Sequence, residues 1–271
     1  MSYASDADVM FVHDALPGTG EDVATRQAIA VANELRRLLG LPSPDPELTI
    51  DADLRPEGRN GPMSRSLASC RAYYEKWSAP WEAQALLRAR PVAGDPGLGE
   101  EFLAAIDPIR YPAHGLAADH VREMRRLKAR MESERLPRGA DPALHTKLGP
   151  GGLADVEWTV QLLQMQHGAT IESLRTPQTL PALEAAVASD LLDSADAEQL
   201  RAAWMLATAI RNATMLATGR PAAQVPTETT LLRTVGYLLG YRRGDSQAVV
   251  QDYRRATRRA RKVMERVFYG L

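Results

Sequence analysis

The chain has 271 residues, 45% of them hydrophobic and 25% charged, an ordinary globular composition with length for one large domain or two modest ones. With 33 basic against 34 acidic residues the formal charge is −1, which argues against bulk nucleic-acid binding. The single cysteine, Cys70, excludes an intrachain disulfide, no stretch approaches the roughly 18 apolar residues of a membrane span, and Met1 to Asp8 carries acid where a signal peptide carries base, so a cytoplasmic protein with no membrane partner is expected.

In chain order, Asp8 to His13 is a short β-prone run. Residues 21–39 form a predicted helix, with Glu21 and Asp22 near its start, Ile29, Leu35, Leu38 and Leu39 on an apolar side, and Gly40 at its end. Pro42, Pro44 and Pro46 mark a loop. Leu48 to Leu54 alternates cleanly and predicts a second strand, followed by a rigid turn at Pro56-Glu57-Gly58 and Asn60-Gly61-Pro62. Ser66 to Trp77 looks helical, and Gln84 to Val92 suits either strand or helix. From about Pro112 the texture is helical, with helices predicted over 119–135, 152–167, 181–192, 196–218, 227–239 and 245–268. In the first of these Val121, Met124, Leu127 or Lys128, and Met131 follow the helical period. The second is apolar on two sides, through Leu153, Val156, Val160 and Leu163 and through Trp158, Leu162 and Met165, which predicts a place at the centre of a bundle. The fold class is therefore α+β, with a mixed part over 1–112 and an all-helical part over 113–271. Three Phe against abundant Ala and Leu predict a mostly aliphatic core.

The residues richest in chemistry are Ser5-Asp6-Ala7-Asp8 ahead of the first β-prone run, and Asp51 and Asp53 in the second. On a strand, residues i and i+2 share a face, about 7 Å apart. Asp6 and Asp8 would then project together, and Asp51 and Asp53 likewise, so neighbouring strands would bring three or four carboxylates together. Like charges so placed repel one another. Magnesium resolves this, because it takes carboxylate and phosphate oxygens, and a two-metal arrangement activates an attacking oxygen while steadying a leaving pyrophosphate. Arg55 is a candidate for holding a triphosphate. A lone Asp-x-Asp is common, and its plain alternative is a solvated strand end.

Taken in order, these motifs resemble a known family. Ser5-Asp6-Ala7-Asp8 and Ile50-Asp51-Ala52-Asp53-Leu54-Arg55-Pro56-Glu57-Gly58 resemble the core of the polymerase-β-type nucleotidyltransferases, in the version found in bacterial glutamine synthetase adenylyltransferases. Trp81 to Arg90 resembles the stretch that closes the nucleotidyl domain. Lys147-Leu148-Gly149-Pro150-Gly151-Gly152-Leu153-Ala154-Asp155-Val156-Glu157-Trp158 resembles the signature opening a helical domain shared with the uridylyltransferases of PII signalling proteins. The texture around Leu54–Pro62 and Glu134–Gly139 looks actinobacterial.

The resemblance implies the C-terminal half of a two-part enzyme. That half transfers AMP from ATP to a tyrosine hydroxyl of glutamine synthetase and lowers its activity in nitrogen regulation. Asp6, Asp8 and Asp51 match the metal-binding catalytic aspartates, with Mg2+ as the ion, and Ser5, Arg55 and Lys147 are the nucleotide-binding candidates. Asp53 stands where many relatives carry Arg and is not expected as a main ligand. Relatives carry a Gly-Gly-x-Glu-Leu segment just ahead of the Ser-Asp pair that Met1-Ser2-Tyr3-Ala4 lacks, so the resemblance implies a nucleotidyltransferase domain over 1–112 without it, followed by the helical domain over 113–271. The implied partners are glutamine synthetase and a PII signalling protein. The alternatives are a catalytically dead fragment that binds either partner, and phosphorolytic removal of AMP from glutamine synthetase.

Gly149 to Gly152 leads into a helix whose first turns carry Asp155 and Glu157. It helps position nucleotide or joins two domains, or is simply a helix start with favourable acids. The predicted last helix carries Arg254, Arg255, Arg258, Arg259, Arg261, Lys262 and Arg266, which reads first as a solvated face and second as a dock for an acidic surface. The five His lack zinc-ligand spacing, with His145 and His167 expected in a loop and at a helix end, and Cys70 reads as a small residue on a helix.

Overall fold

The computed structural model of the chain describes residues 5–42 and 48–271, which fall into two compact units, one of residues 5–113 and one of residues 114–271. The predicted loop prolines Pro44 and Pro46, like Met1 to Ala4, lie outside the described residues.

The front unit runs β1 (Ala7–Asp8), β2 (Phe11–His13), α1 (Glu21–Leu39), β3 (Ile50–Asp51), β4 (Ser64–Ser66), α2 (Leu67–Trp77), α3 (Pro80–Leu86) and α4 (Pro96–Arg110). β1 pairs with β3 and β2 with β4, both parallel, as strands joined through a crossover helix require. Two predicted strands come out shorter. The run from Asp8 to His13 is split at Val9-Met10 into β1 and β2. The strand predicted over 48–54 stops at Asp51, because an Asp51 carboxylate oxygen captures the Asp53 N–H at 2.7 Å and turns the chain. The ambiguous stretch 84–92 joins the end of α3 and then leaves regular structure.

Ser66 caps α2 by accepting the Ser69 N–H at 3.3 Å. The unit's core is Leu67, Cys70, Tyr74, Leu86, Phe102 and Ile106, against which Met10 and Val12 pack. α4 supplies Phe102 and Ile106, and no helix was predicted there. Its signal is present nonetheless: Asp95 caps the Leu98 N–H at 2.8 Å, Pro96 takes the first helical position, and Leu98, Phe102, Ile106 and Ile109 recur at helical steps.

The second unit is all helical: α5 (Ala118–Glu134), α6 (Leu153–His167), α7 (Thr179–Ala188), α8 (Ser194–Thr218), α9 (Thr229–Leu238) and α10 (Gln247–Met264), the last running into a π turn over Glu265–Tyr269. Ten of the 15 residues of α6 are buried, which makes it the centre of the bundle as its two apolar sides require. Val156, Val160 and Leu163 of α6 pack with Leu183 of α7, Leu200 and Ala203 of α8 and Val263 of α10. The helix predicted over 181–192 ends at Ala188, where Asp190 takes a left-handed φ of 56° and Leu191 N–H returns to the Ala186 carbonyl. A second cluster joins Ile210 of α8, Leu232 of α9 and Val249 and Tyr253 of α10 around Leu144 and Val225. Among the described residues no helix is long and apolar enough to cross a membrane.

Candidate functional site

The register of β1 and β3 places Asp8 opposite Asp51. Paired residues on adjacent strands stand about 4.8 Å apart at the backbone and face the same side. Val9 N–H donates to the Asp51 carbonyl at 2.7 Å and Ala7 N–H to the Thr49 carbonyl at 2.9 Å, so the ladder continues on both sides of the pair. Asp6 and Asp8 are exposed and Asp51 half-buried, with one Asp51 oxygen engaged by the Asp53 N–H. Ser5 and Asp6 precede β1, so strand alternation does not bind Asp6 to the face of Asp8.

The expected convergence of three or four carboxylates is not formed. Among the described residues no group of three or more His, Cys, Asp and Glu is gathered to hold a metal ion. Asp53 sits past the end of β3 and pairs with Arg59 at 2.6 Å and with Arg55 at 3.6 Å. Magnesium fits the donors by type, since Asp8 and Asp51 present hard oxygens from adjacent strands.

Arg55 stands in the turn that follows Asp51. Its guanidinium donates to the carbonyls of Ala52 at 2.7 Å, Gly61 at 3.0 Å and Arg59 at 3.3 Å. The fork thus holds the turn from Ala52 to Gly61 closed, and its role in the structure is to brace the loop beside Asp51. Gly61 is required there because a Cβ would lie 2.1 Å from the Pro56 carbonyl oxygen.

Cys70 is buried on α2, the small helical residue expected, and desolvation pushes its thiol up to about 11.

In the helical unit the turn from Lys147 to Gly152 is tightly specified. Gly149 N–H donates to the His145 carbonyl at 2.9 Å, Gly152 N–H to Gly149 at 2.9 Å, Leu153 N–H to Thr146 at 2.9 Å and Ala154 N–H to Lys147 at 3.0 Å. Lys147 itself is exposed. His145 is a loop residue as expected but is buried, its Nδ1 accepting the Leu148 N–H at 2.9 Å. His167 closes α6.

Beneath this turn lies a group of charges that gathers residues of three separate helices, α5, α6 and α10. Asp155 is fully buried and meets Lys128 Nζ at 2.5 Å, Arg261 Nη1 at 3.0 Å and Gly151 N–H at 2.7 Å. Lys128 also meets Glu132 at 2.5 Å, and Arg261 meets Glu132 and Glu265, each at 2.9 Å. Burial lowers the Arg261 guanidinium, and its carboxylate partners reverse this to a net rise. Burial likewise raises Glu132, and the hydrogen bonds from Lys128 and Arg261 reverse this to a net fall. The available signal was positional: Lys128 stands at an apolar step of α5, four residues from Met124. Of the other α10 cations, Arg254 pairs with Asp141 at 3.4 Å, Arg255 with Asp252 and Arg266 beyond the helix with Asp196, while Arg258, Arg259 and Lys262 lie on its exposed side.

Comparison with known proteins separates the chain at the same two parts. Residues 1–105 match the family model described as glutamate-ammonia ligase adenylyltransferase, and residues 121–271 match the one described as GlnD PII-uridylyltransferase. Curated relatives named bifunctional glutamine synthetase adenylyltransferase/adenylyl-removing enzyme include those of Streptomyces avermitilis, 59% identical over 270 residues, and Streptomyces coelicolor, 56% identical over 270 residues. Each alignment covers 100% of this chain and 27% of the relative. That of Nocardia farcinica is 53% identical over 269 residues, covering 99% of this chain and 27% of the relative. The chain thus spans about a quarter of the length of the curated relatives it matches.

Proposed function

The chain belongs to the glutamine synthetase adenylyltransferase family, and on that premise we propose that it transfers AMP from ATP to a tyrosine hydroxyl of glutamine synthetase. The observation that carries this reading is the β1–β3 register, which sets Asp8 beside Asp51 inside the part matched by the adenylyltransferase model. In this reading the front unit is of the polymerase-β-type nucleotidyltransferase kind, and the helical unit is of the type shared with PII uridylyltransferases. The C-terminal half of the relatives' enzyme is the counterpart, glutamine synthetase and a PII protein are the partners, and the compartment is the cytoplasm.

Asp6, Asp8 and Asp51 are the residues that would hold magnesium, which when bound neutralises the charge of the triphosphate. Asp51, one of whose carboxylate oxygens accepts the Asp53 N–H, would orient the acceptor hydroxyl and take its proton. The hydroxyl attacks the α-phosphorus in line and pyrophosphate leaves, with no covalent enzyme intermediate. Arg55 braces the loop that follows Asp51, and Arg55 and Ser5 are proposed nucleotide contacts of the front unit, with Lys147 the candidate of the helical unit. Positioning and charge neutralisation supply most of the acceleration in such chemistry.

The test is incubation with labelled ATP, magnesium and unmodified glutamine synthetase. Label on the synthetase that falls at least about 100-fold in Asp8→Asn and in Asp51→Asn supports the reading; label that is absent, or survives both substitutions, overturns it. The relatives' names also carry an adenylyl-removing activity, which favours phosphorolytic removal of AMP as a second reading. Release of ADP from modified synthetase in the presence of phosphate distinguishes it.

A further inference from the structure

Glu57, in the turn that follows Asp51, has a left-handed φ of 65°. For a residue with a Cβ that conformation is strained, and such strain persists only where the surroundings over-determine it. Side chains of the same unit do so here. The Arg65 guanidinium bonds the Glu57 carboxylate through Nη2 and the Ser69 hydroxyl through Nη1, the latter at 3.2 Å. It lies over the Tyr73 ring, 5.7 Å from the ring centre. The Tyr73 hydroxyl is hydrogen-bonded by the Glu57 backbone and donates to Glu82 Oε1 at 2.9 Å. Glu82 is buried in the first turn of α3, where its other oxygen accepts the Ala79 N–H at 2.8 Å. From Glu57 the turn runs back to Asp51 through three further bonds. Gly58 N–H donates to the Arg55 carbonyl at 2.8 Å, Arg55 Nη1 to the Ala52 carbonyl at 2.7 Å, and Asp53 N–H to the Asp51 carboxylate at 2.7 Å. Glu57 itself is exposed and takes no part in the core. A glycine there would remove the strain and leave the core as it is, so the strain serves the turn.

We propose that Glu57, Arg65, Tyr73 and Glu82 are positioning residues that clamp the turn over residues 52–61 to α2 and α3, and so hold the Asp51 carboxylate in place for AMP transfer. The proposal rests on the reading of Asp51 as the group that orients the acceptor hydroxyl. Through Glu82 it also gives the stretch 81–90 a task in the reaction.

The decisive variant is Glu57→Gly in the full 271-residue chain. Glycine takes a left-handed φ without strain, and an exposed ion pair adds little to stability, so the variant is expected to melt no lower than the wild type. It nonetheless takes the carboxylate away from Arg65. Amide exchange at Asp53 is expected to quicken roughly tenfold or more, on the scale of a lost hydrogen bond, while exchange within α4 stays as in the wild type. Label transferred from ATP to glutamine synthetase is expected to fall about tenfold or more, because small displacements of a reacting group cost that much. Glu57→Gln, which keeps the reach to Arg65, should retain most of the transfer. Tyr73→Phe keeps the ring under Arg65 and loses the hydroxyl, and should show the same two losses. Combined with Glu57→Gly it should cost less than the product of the single losses, because both act through one turn.

A Glu57→Gly chain that transfers label as well as the wild type overturns the proposal: Glu57 is then a strained surface residue and no more. So does unchanged Asp53 exchange in both Glu57→Gly and Tyr73→Phe. If the wild type itself labels no synthetase, the reading of Asp51 falls and takes the catalytic part of the proposal with it. Faster Asp53 exchange in that case locates the failure in the role assigned to Asp51 and not in the hold on the turn.

Discussion

At the scale of single residues, the glycine turn is the most constrained segment of the helical unit. Gly151→Ala has to place a Cβ at a left-handed φ and against the Thr257 carbonyl oxygen. The backbone term costs about 1–2 kcal/mol, and the clash with a helix backbone adds to it. A loss of at least about 2 kcal/mol in urea unfolding is expected, and an alanine variant as stable as the wild type would show that the turn can move away from α10.

His145 makes a second residue-scale prediction. Burial lowers its pKa, with the positive charges of Arg211 and Lys147 acting the same way, against a backbone hydrogen bond that raises it. Its Nδ1 accepts from Leu148, so protonation would also remove that acceptor. A depressed histidine pKa leaves stability complete above the unfolded value of about 6.5. Below that pH the unfolded chain takes up a proton that the fold refuses, and stability falls until the lowered pKa is passed. Melting temperatures from pH 8 down to pH 5 should decline below about 6.5, with a shallower decline in His145→Gln; identical slopes would remove His145 as the cause.

At the scale of elements, the front unit depends on packing by helices more than on its sheets. Its strand pairs are two and three residues long, too short to stand by themselves. Ile106 of α4 is fully buried among Leu67, Tyr74 and Leu86, and Leu200 of α8 is fully buried in the other core. Each truncation to Ala is expected to cost about 2–5 kcal/mol. Helix limits are legible because caps and periodicity are local: 21–39 is read from Gly40, and 119–135, read from Met124 and Met131, lies within one residue of α5. α4 went unread because its start lies in a stretch crowded with Pro and Gly, where Asp95-Pro96 reads as a turn as readily as a helix start. The strand at 48–54 was overextended because alternation says nothing of the Asp51 side chain capturing the Asp53 N–H.

At the scale of the molecule, the two units have separate cores: one of Leu67, Tyr74, Phe102 and Ile106, the other built on α6, α7, α8 and α10. Ile106→Ala should therefore shift unfolding followed by protection of α2 amides and leave α8 protection in place, with Leu200→Ala doing the reverse. Loss of protection in both units from either substitution would show that they unfold as one. The grooves between α7 and α8 (about 290 Å³) and between α8 and α10 (about 350 Å³) are lined by residues of the helical unit and include none of the proposed catalytic aspartates.

The sequence by itself determined the α+β class, the change to helices after Pro112, the central place of α6 and the candidacy of Asp8 and Asp51, because periodicity, caps and motif order are properties of neighbouring residues. Only the tertiary structure decided which carboxylates stand together. The β1–β3 register joins positions 43 residues apart, Asp8 and Asp51, while a local turn withdraws Asp53 into pairs with Arg55 and Arg59. It alone decided that Arg55 braces its own loop and that Lys128, Asp155 and Arg261 meet beneath the glycine turn. Those contacts arise from three helices brought together by apolar burial, and a charge on an apolar face acquires its partner only once that burial is complete.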